Sequence, residues 1–174
     1  MTKQALPTKP LPSVHLRVPT HEDAFVWHRL FDDPDVMKFL GGKPAELSFY
    51  EELTARQRRH DAELGFCLYT LLAADGEPIG FAGAQPWPRD WGPKGEIEIG
   101  WRLGRAAWGK GYATAAAQAA LERVRAAGAG SVVAVVDAHN ARSAAVTRRL
   151  GMELDETFTS PVSQREAHSF RLAL

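Results

Sequence analysis

Apolar residues recur along this chain with two periods, and the alternation between them marks out the elements. Val14 to Val18 alternates and predicts a strand, closed by Pro19. Thr20, with Asp23 three residues on, forms a variant capping box ahead of Phe25, Val26, Leu30 and Phe31, which predicts a helix from about His21 to Phe31. Gly41, Gly42 and Pro44 break the chain, and a second, charged helix follows from Ser48 through Arg59, its arginines reading as a solvated face. From Phe66 the period changes. Phe66 to Ala73 and Ile79 to Ala84 are apolar runs joined by the turn residues Asp75, Gly76 and Pro78, and so predict two antiparallel strands.

A loop rich in Trp, Pro and Gly, from Pro86 to Gly95, leads to a strictly alternating strand. Ile97, Ile99, Trp101 and Leu103 share one of its faces; Glu96, Glu98, Gly100 and Arg102 share the other. An Ala-rich helix follows from about Tyr112 to Ala127, ended by Gly128 and Gly130. Val132 to Val136 is apolar on both faces, which predicts a central strand covered by helices on both sides. A helix over Asn140 to Leu150 and two strands, around Met152 to Thr159 and Ala167 to Leu172, complete the order βααβββαβαββ, an α/β class with one mixed sheet flanked by helices. Residues 1–13 carry three prolines and little pattern, and read as a flexible arm before a single domain over 14–174.

Composition narrows the function. The chain has 174 residues, enough for one domain with its own core. Its 21 Lys and Arg balance 21 Asp and Glu, so no global field draws it to nucleic acid or to an anionic membrane, and any anion must meet a local site. Cys67, the one cysteine, lies in an apolar run and reads as a buried strand residue rather than a reactive thiol. No signal-peptide run and no span of bilayer length is present, which leads to the expectation of a cytoplasmic protein. His139 and His168 lack partners at metal-ligand spacing, so no metal is expected. Oligomeric state is open, with a homodimer the commonest assembly.

The chemistry concentrates in Trp108-Gly-Lys-Gly-Tyr-Ala-Thr114, between the alternating strand and the Ala-rich helix. Glycines let successive N–H groups turn into one concavity, and the helix start adds unsatisfied donors and the positive end of its dipole, a combination that binds phosphate. An ordinary tight turn is the alternative. A P-loop is excluded because no Gly-Lys-Ser/Thr occurs, and a dinucleotide fingerprint because Thr114 stands where its third glycine belongs.

In this context the segment resembles the GNAT superfamily of acetyl-CoA-dependent N-acetyltransferases, whose hallmark is Arg/Gln-x-x-Gly-x-Gly/Ala at a strand-to-helix junction. Gly111 and Ala113 match, and Trp108 replaces the Arg or Gln. Glu98 to Trp101, Trp108 to Ala113, Asn140 with Ser143, Leu150 to Met152, and the opening Leu16 to Asp23 resemble the branch that acetylates N-terminal amines of ribosomal proteins.

The resemblance implies transfer of an acetyl group from acetyl-CoA to a primary amine, either a protein N-terminus or a small molecule, by direct attack. A non-catalytic acyl-CoA-binding module with the same fold is the rival. The backbone from Trp108 through Gly109, Lys110, Gly111 and Tyr112 to Ala113 would hold the CoA pyrophosphate, Lys110 adding charge or merely lying in solvent. Asn140 would contact the CoA arm or simply cap its helix. Glu98 is the candidate general base, against the alternative of an outward strand carboxylate. A backbone N–H near Trp101 would meet the thioester oxygen. Many relatives protonate the leaving thiolate with a tyrosine seven residues after the Asn; that position is Thr147, which leaves Ser143 as the candidate hydroxyl or as a first-turn helix serine. Trp87 and Trp91 would line the acceptor pocket or pin their own loop.

Overall fold

The computed structural model describes residues 9–174. Seven strands form one mixed sheet in the order β1-β2-β3-β4-β5-β7-β6. Strands β1 (Val14–Arg17), β2 (Leu68–Ala73), β3 (Pro78–Pro86) and β4 (Ile97–Leu103) make an antiparallel meander; β5 (Ser131–Asp137) runs parallel to β4, and β7 (Glu166–Ala173) lies antiparallel between β5 and β6 (Glu153–Thr159). The expected order holds with two short additions, one of them a 3-10 turn at Arg105–Ala107. Between α1 (Asp23–Phe31) and α3 (Leu47–Leu64) stands a one-turn helix, α2 (Pro34–Met37), which the sequence reading passed over. Its cause is local, since Asp33 accepts from the Asp35 N–H and Pro34 fills the first helical position, where no donor is needed.

Each face of the sheet has its own core. On one, α1 and α3 bring Trp27, Phe31, Tyr50 and Leu53 onto Leu68 and Phe81. On the other, α4 (Tyr112–Ala126) lays Ala116, Ala117, Ala120 and Val124 on Ala82, Ile99, Val132 and Ala134, with Val146 of α5 (Ala141–Arg149) in the same cluster. Thus α4 and α5 share one face of β5, not opposite faces; Val133, on the other face, is fully buried all the same. Small side chains let strands and helices approach closely. At Gly83 a Cβ would fall 2.0 Å from the Cys67 carbonyl oxygen, so no other residue fits there.

The predicted capping box is half formed. Asp23 accepts from the Thr20 N–H (2.8 Å), but it also takes Arg17 and the Thr70 hydroxyl and so ties α1 to β1 and β2. Burial would raise this carboxyl, but those partners hold it below its ordinary value. The arm expected over residues 1–13 lies largely outside the described residues. Its end, Leu11 and Pro12, packs at Gly111. No described helix is long and apolar enough to cross a membrane.

Candidate active site

Strands β4 and β5 are seven residues each, yet they share one registered pair, Glu98↔Val133. Beyond Glu98 they part, leaving a gap inside the sheet at their C-terminal ends. Peptide direction shows what faces it. The Gly104 N–H donates to the Ile79 oxygen (2.9 Å) and the Glu96 oxygen accepts from the Trp87 N–H (2.9 Å), so even-numbered residues of β4 turn their peptide groups toward β3. By the alternation of a strand, Trp101 turns its N–H toward β5, into the gap.

Glu98 stands at the edge of that opening, on the face shared with Gly100 and Arg102. Its carboxylate leans over Gly100, with Oε1 3.8 Å from where a Cβ on that glycine would be. Burial pushes its pKa up to about 7, against the hydrogen bond from Gln85 and the charges of Arg89, Arg102 and Arg56, which act to lower it. Two amides that the sequence reading missed support it. The Leu68 N–H can only donate, and it donates to Gln57 Oε1 (2.9 Å), which fixes that amide's orientation. Gln57 Nε2 then donates to Gln85 Oε1 (2.8 Å), and Gln85 Nε2 in turn to Glu98 Oε2 (3.4 Å). Nothing in the pattern of α3 or β3 marks these glutamines; only burial and the partner strand give them a role.

Because β4 and β5 are parallel, the chain leaves both at the same end of the sheet, and α4 and α5 both start there. In the turn before α4, Gly109 and Gly111 take φ of 74° and 84°, the left-handed region that favours glycine. The helix ladder begins with Ala115 N–H to the Gly111 oxygen (3.1 Å), and no backbone carbonyl of a described residue accepts from the N–H groups of 109–114. Six donors are therefore left open along one turn at a helix start, the kind of polar cradle that a diphosphate requires. The side chain of Lys110 is exposed beside it and Tyr112 is half-buried.

Trp108 donates its indole N–H to the Leu103 oxygen (3.1 Å) and carries the Arg142 guanidinium 4.0 Å above its ring, a contact that ties this turn to the start of α5. There Asn140 caps the helix, accepting from the Ser143 N–H (3.3 Å), as its structural reading anticipated. The Ser143 hydroxyl is half-buried and makes no hydrogen bond to another described residue. Thr147 is wholly buried and committed to the Ala144 oxygen at 2.6 Å. Trp87 and Trp91 pack edge to face at 5.4 Å and Trp91 meets Phe158 at 5.9 Å, which pins the loop by its own aromatics. Cys67 lies just before β2, fully buried, and burial pushes its thiol up to about 12.

A family model described as the acetyltransferase (GNAT) domain matches residues 13–153. The chain belongs to the GNAT acetyltransferases. A Bacillus subtilis protein, the uncharacterized YkkB, is 30% identical over 156 residues, 86% of this chain and 88% of its own. An L-methionine sulfoximine/L-methionine sulfone acetyltransferase of Pseudomonas paraeruginosa is 33% identical over 105 residues, 59% of this chain and 61% of that enzyme. Among solved structures, the Salmonella typhimurium protein yncA with its cofactor acetyl-CoA superposes with a TM-score of 0.73 at 15% identity, covering 93% of this chain and 94% of that one. A ribosomal-protein-alanine N-acetyltransferase from Brucella melitensis gives 0.73 at 20% identity, covering 92% and 99%. The GNAT fold expected from sequence is therefore the fold of this chain, and the gap between β4 and β5 lies within it.

Proposed function

We propose that this GNAT protein transfers the acetyl group of acetyl-CoA directly to a primary amine in the gap between β4 and β5. The observation that carries this reading is the single Glu98↔Val133 pair, which opens the sheet beside a carboxyl poised near neutral pH. Acetyl-CoA supplies an activated thioester. The amides of 109–114 hold its diphosphate at the start of α4, with Lys110 adding charge at the rim. Glu98 takes a proton from the incoming ammonium, which frees the nitrogen lone pair to form the new C–N bond. The Trp101 N–H faces the oxygen as it gains negative charge, and Ser143 donates to the departing sulfur. With its thiol buried and pushed up to about 12, Cys67 offers no route through a covalent acyl-enzyme.

The acceptor is a protein N-terminal amine or a small-molecule amine; relatives named for methionine sulfoximine and for ribosomal protein alanine support both classes. Release of CoA thiol over a panel of amines and N-terminal peptides tests the reading. Glu98→Gln is expected to keep acetyl-CoA affinity while losing roughly a hundredfold or more in turnover near pH 7. A variant that matches the wild type from pH 6 to 10 would remove Glu98 from the mechanism. A folded protein that binds acetyl-CoA but acetylates no amine would leave the binding-module reading.

A further inference from the structure

Around the sheet face that carries Glu98 stand arginines with no carboxylate of a described residue in salt-bridge range. Arg102 follows Glu98 by four residues on the same side of β4, its guanidinium 5.2 Å from the Phe31 ring centre and 5.1 Å from that of Phe81. It donates to the Tyr50 hydroxyl at 3.4 Å, its Nε is buried without a hydrogen-bond partner, and no carboxylate of a described residue lies within 4.0 Å. Arg56, on α3 next to the relay residue Gln57, likewise has a buried Nε with no partner. Arg56, Arg89 and Arg102 all act on the Glu98 carboxyl, and Arg56 and Arg59 line a surface cavity with Glu52 and Ala55. The charges of Glu52 and Glu98 reach Arg56, yet neither makes a salt bridge with it. The sequence reading placed the α3 arginines on a solvated face; for Arg56 the structure departs from it.

A buried guanidinium with unmade hydrogen bonds is costly unless a ligand completes it, and its planar fork suits an oxyanion. The same cations repel an acceptor whose only charge is its ammonium. Resting on the acetyl-transfer reading, we infer that the acceptor is a primary amine carrying its own oxyanion a few bonds away, with the carboxylate of an α-amino acid as the type. Its ammonium would meet Glu98 while its oxyanion meets the guanidinium groups of Arg102 and Arg56. A polyamine or an aminoglycoside does not fit this arrangement.

The test uses matched acceptors with one skeleton: a free α-amino acid, its amide and its decarboxylated amine, each assayed by CoA thiol release with the full chain. The free acid is expected to exceed both others in kcat/KM by about ten- to a hundredfold, the scale of one or two charge-assisted hydrogen bonds. Arg56→Gln and Arg102→Gln should each lower that ratio about tenfold or more, chiefly through KM for the acid, and Arg102→Lys should restore it in part. Because the ratio is internal to each preparation, a partly unfolded variant still reports it. A peptide with Asp beside its N-terminal amine provides a second source of the same chemistry, and a preference for it over its Asn counterpart also supports the inference. Equal rates for acid, amide and amine, a polyamine as the best acceptor, or a ratio unchanged in both glutamine variants would overturn it. If all three acceptors react alike, only the oxyanion falls; if acetyl-CoA binds and none reacts, the transfer reading falls with it.

Discussion

At the residue scale the protein turns on one carboxyl held between opposing influences. Burial raises Glu98 to about 7, while Gln85 and three arginines favour its charged form. Since the base acts when deprotonated, kcat/KM should rise with pH through an apparent pKa near 7. Gln85→Leu removes a hydrogen bond to the charged form, so this limb should move to higher pH and the rate at pH 7 should fall, with turnover recovered at pH 9. An unmoved limb in a folded Gln85→Leu protein would show the relay to be structural only. One histidine reaches this arrangement from its far end, His60 Nδ1 lying 3.4 Å from Gln57 Oε1. His139 faces Asp137 at 3.6 Å and His168 faces Glu166 at 2.9 Å, both away from this relay.

At the scale of elements, the starts of α4 and α5 divide the binding and leaving-group work. Gly111 has a left-handed φ of 84°, and a Cβ there would lie 3.2 Å from Pro12 Cδ and 3.4 Å from Leu11 Cδ2. Gly111→Val therefore strains the turn by about 1–2 kcal/mol and crowds Leu11 and Pro12, so the turn should lose its shape and calorimetry should show a marked loss of acetyl-CoA affinity. Lys110→Ala should cost at most a charge-assisted hydrogen bond, about 1.5–3 kcal/mol. At α5 the two hydroxyls differ. Thr147 is buried and bonded within its helix, so Thr147→Ala should affect stability more than rate; Ser143→Ala should slow turnover roughly ten- to a hundredfold and leave acetyl-CoA binding nearly intact. A Ser143→Ala protein with full rate and a lowered melting temperature would make Ser143 structural.

At the scale of the whole molecule, the strand and helix order was legible because periodicity and turn residues are local. The α2 turn was legible too, in Asp33 and Pro34, though it is too short for periodicity to show. Glu98, Trp101 and the turn from Trp108 to Ala113 could be named from a local motif. What holds Glu98 could not, because Gln57 and Gln85 lie 28 residues apart and meet only after α3 docks on the sheet. The parting of β4 from β5 is likewise a property of pairing, which neither strand records alone. It also has a mechanical consequence. One registered pair divides the sheet into two leaves, β1 to β4 and β5 to β6, with α4 packed on the first and α5 on β5 of the second. Without ligand, this seam should breathe. Amide hydrogen exchange at Trp101 and Leu103, facing the gap, should be faster than at Ala82 or Ala134 inside a leaf, and acetyl-CoA bound across the seam should slow it. At a ligand concentration of 100 Kd the closed seam should gain about 2.7 kcal/mol, a rise in melting temperature of about 5–10 °C for a chain of this size.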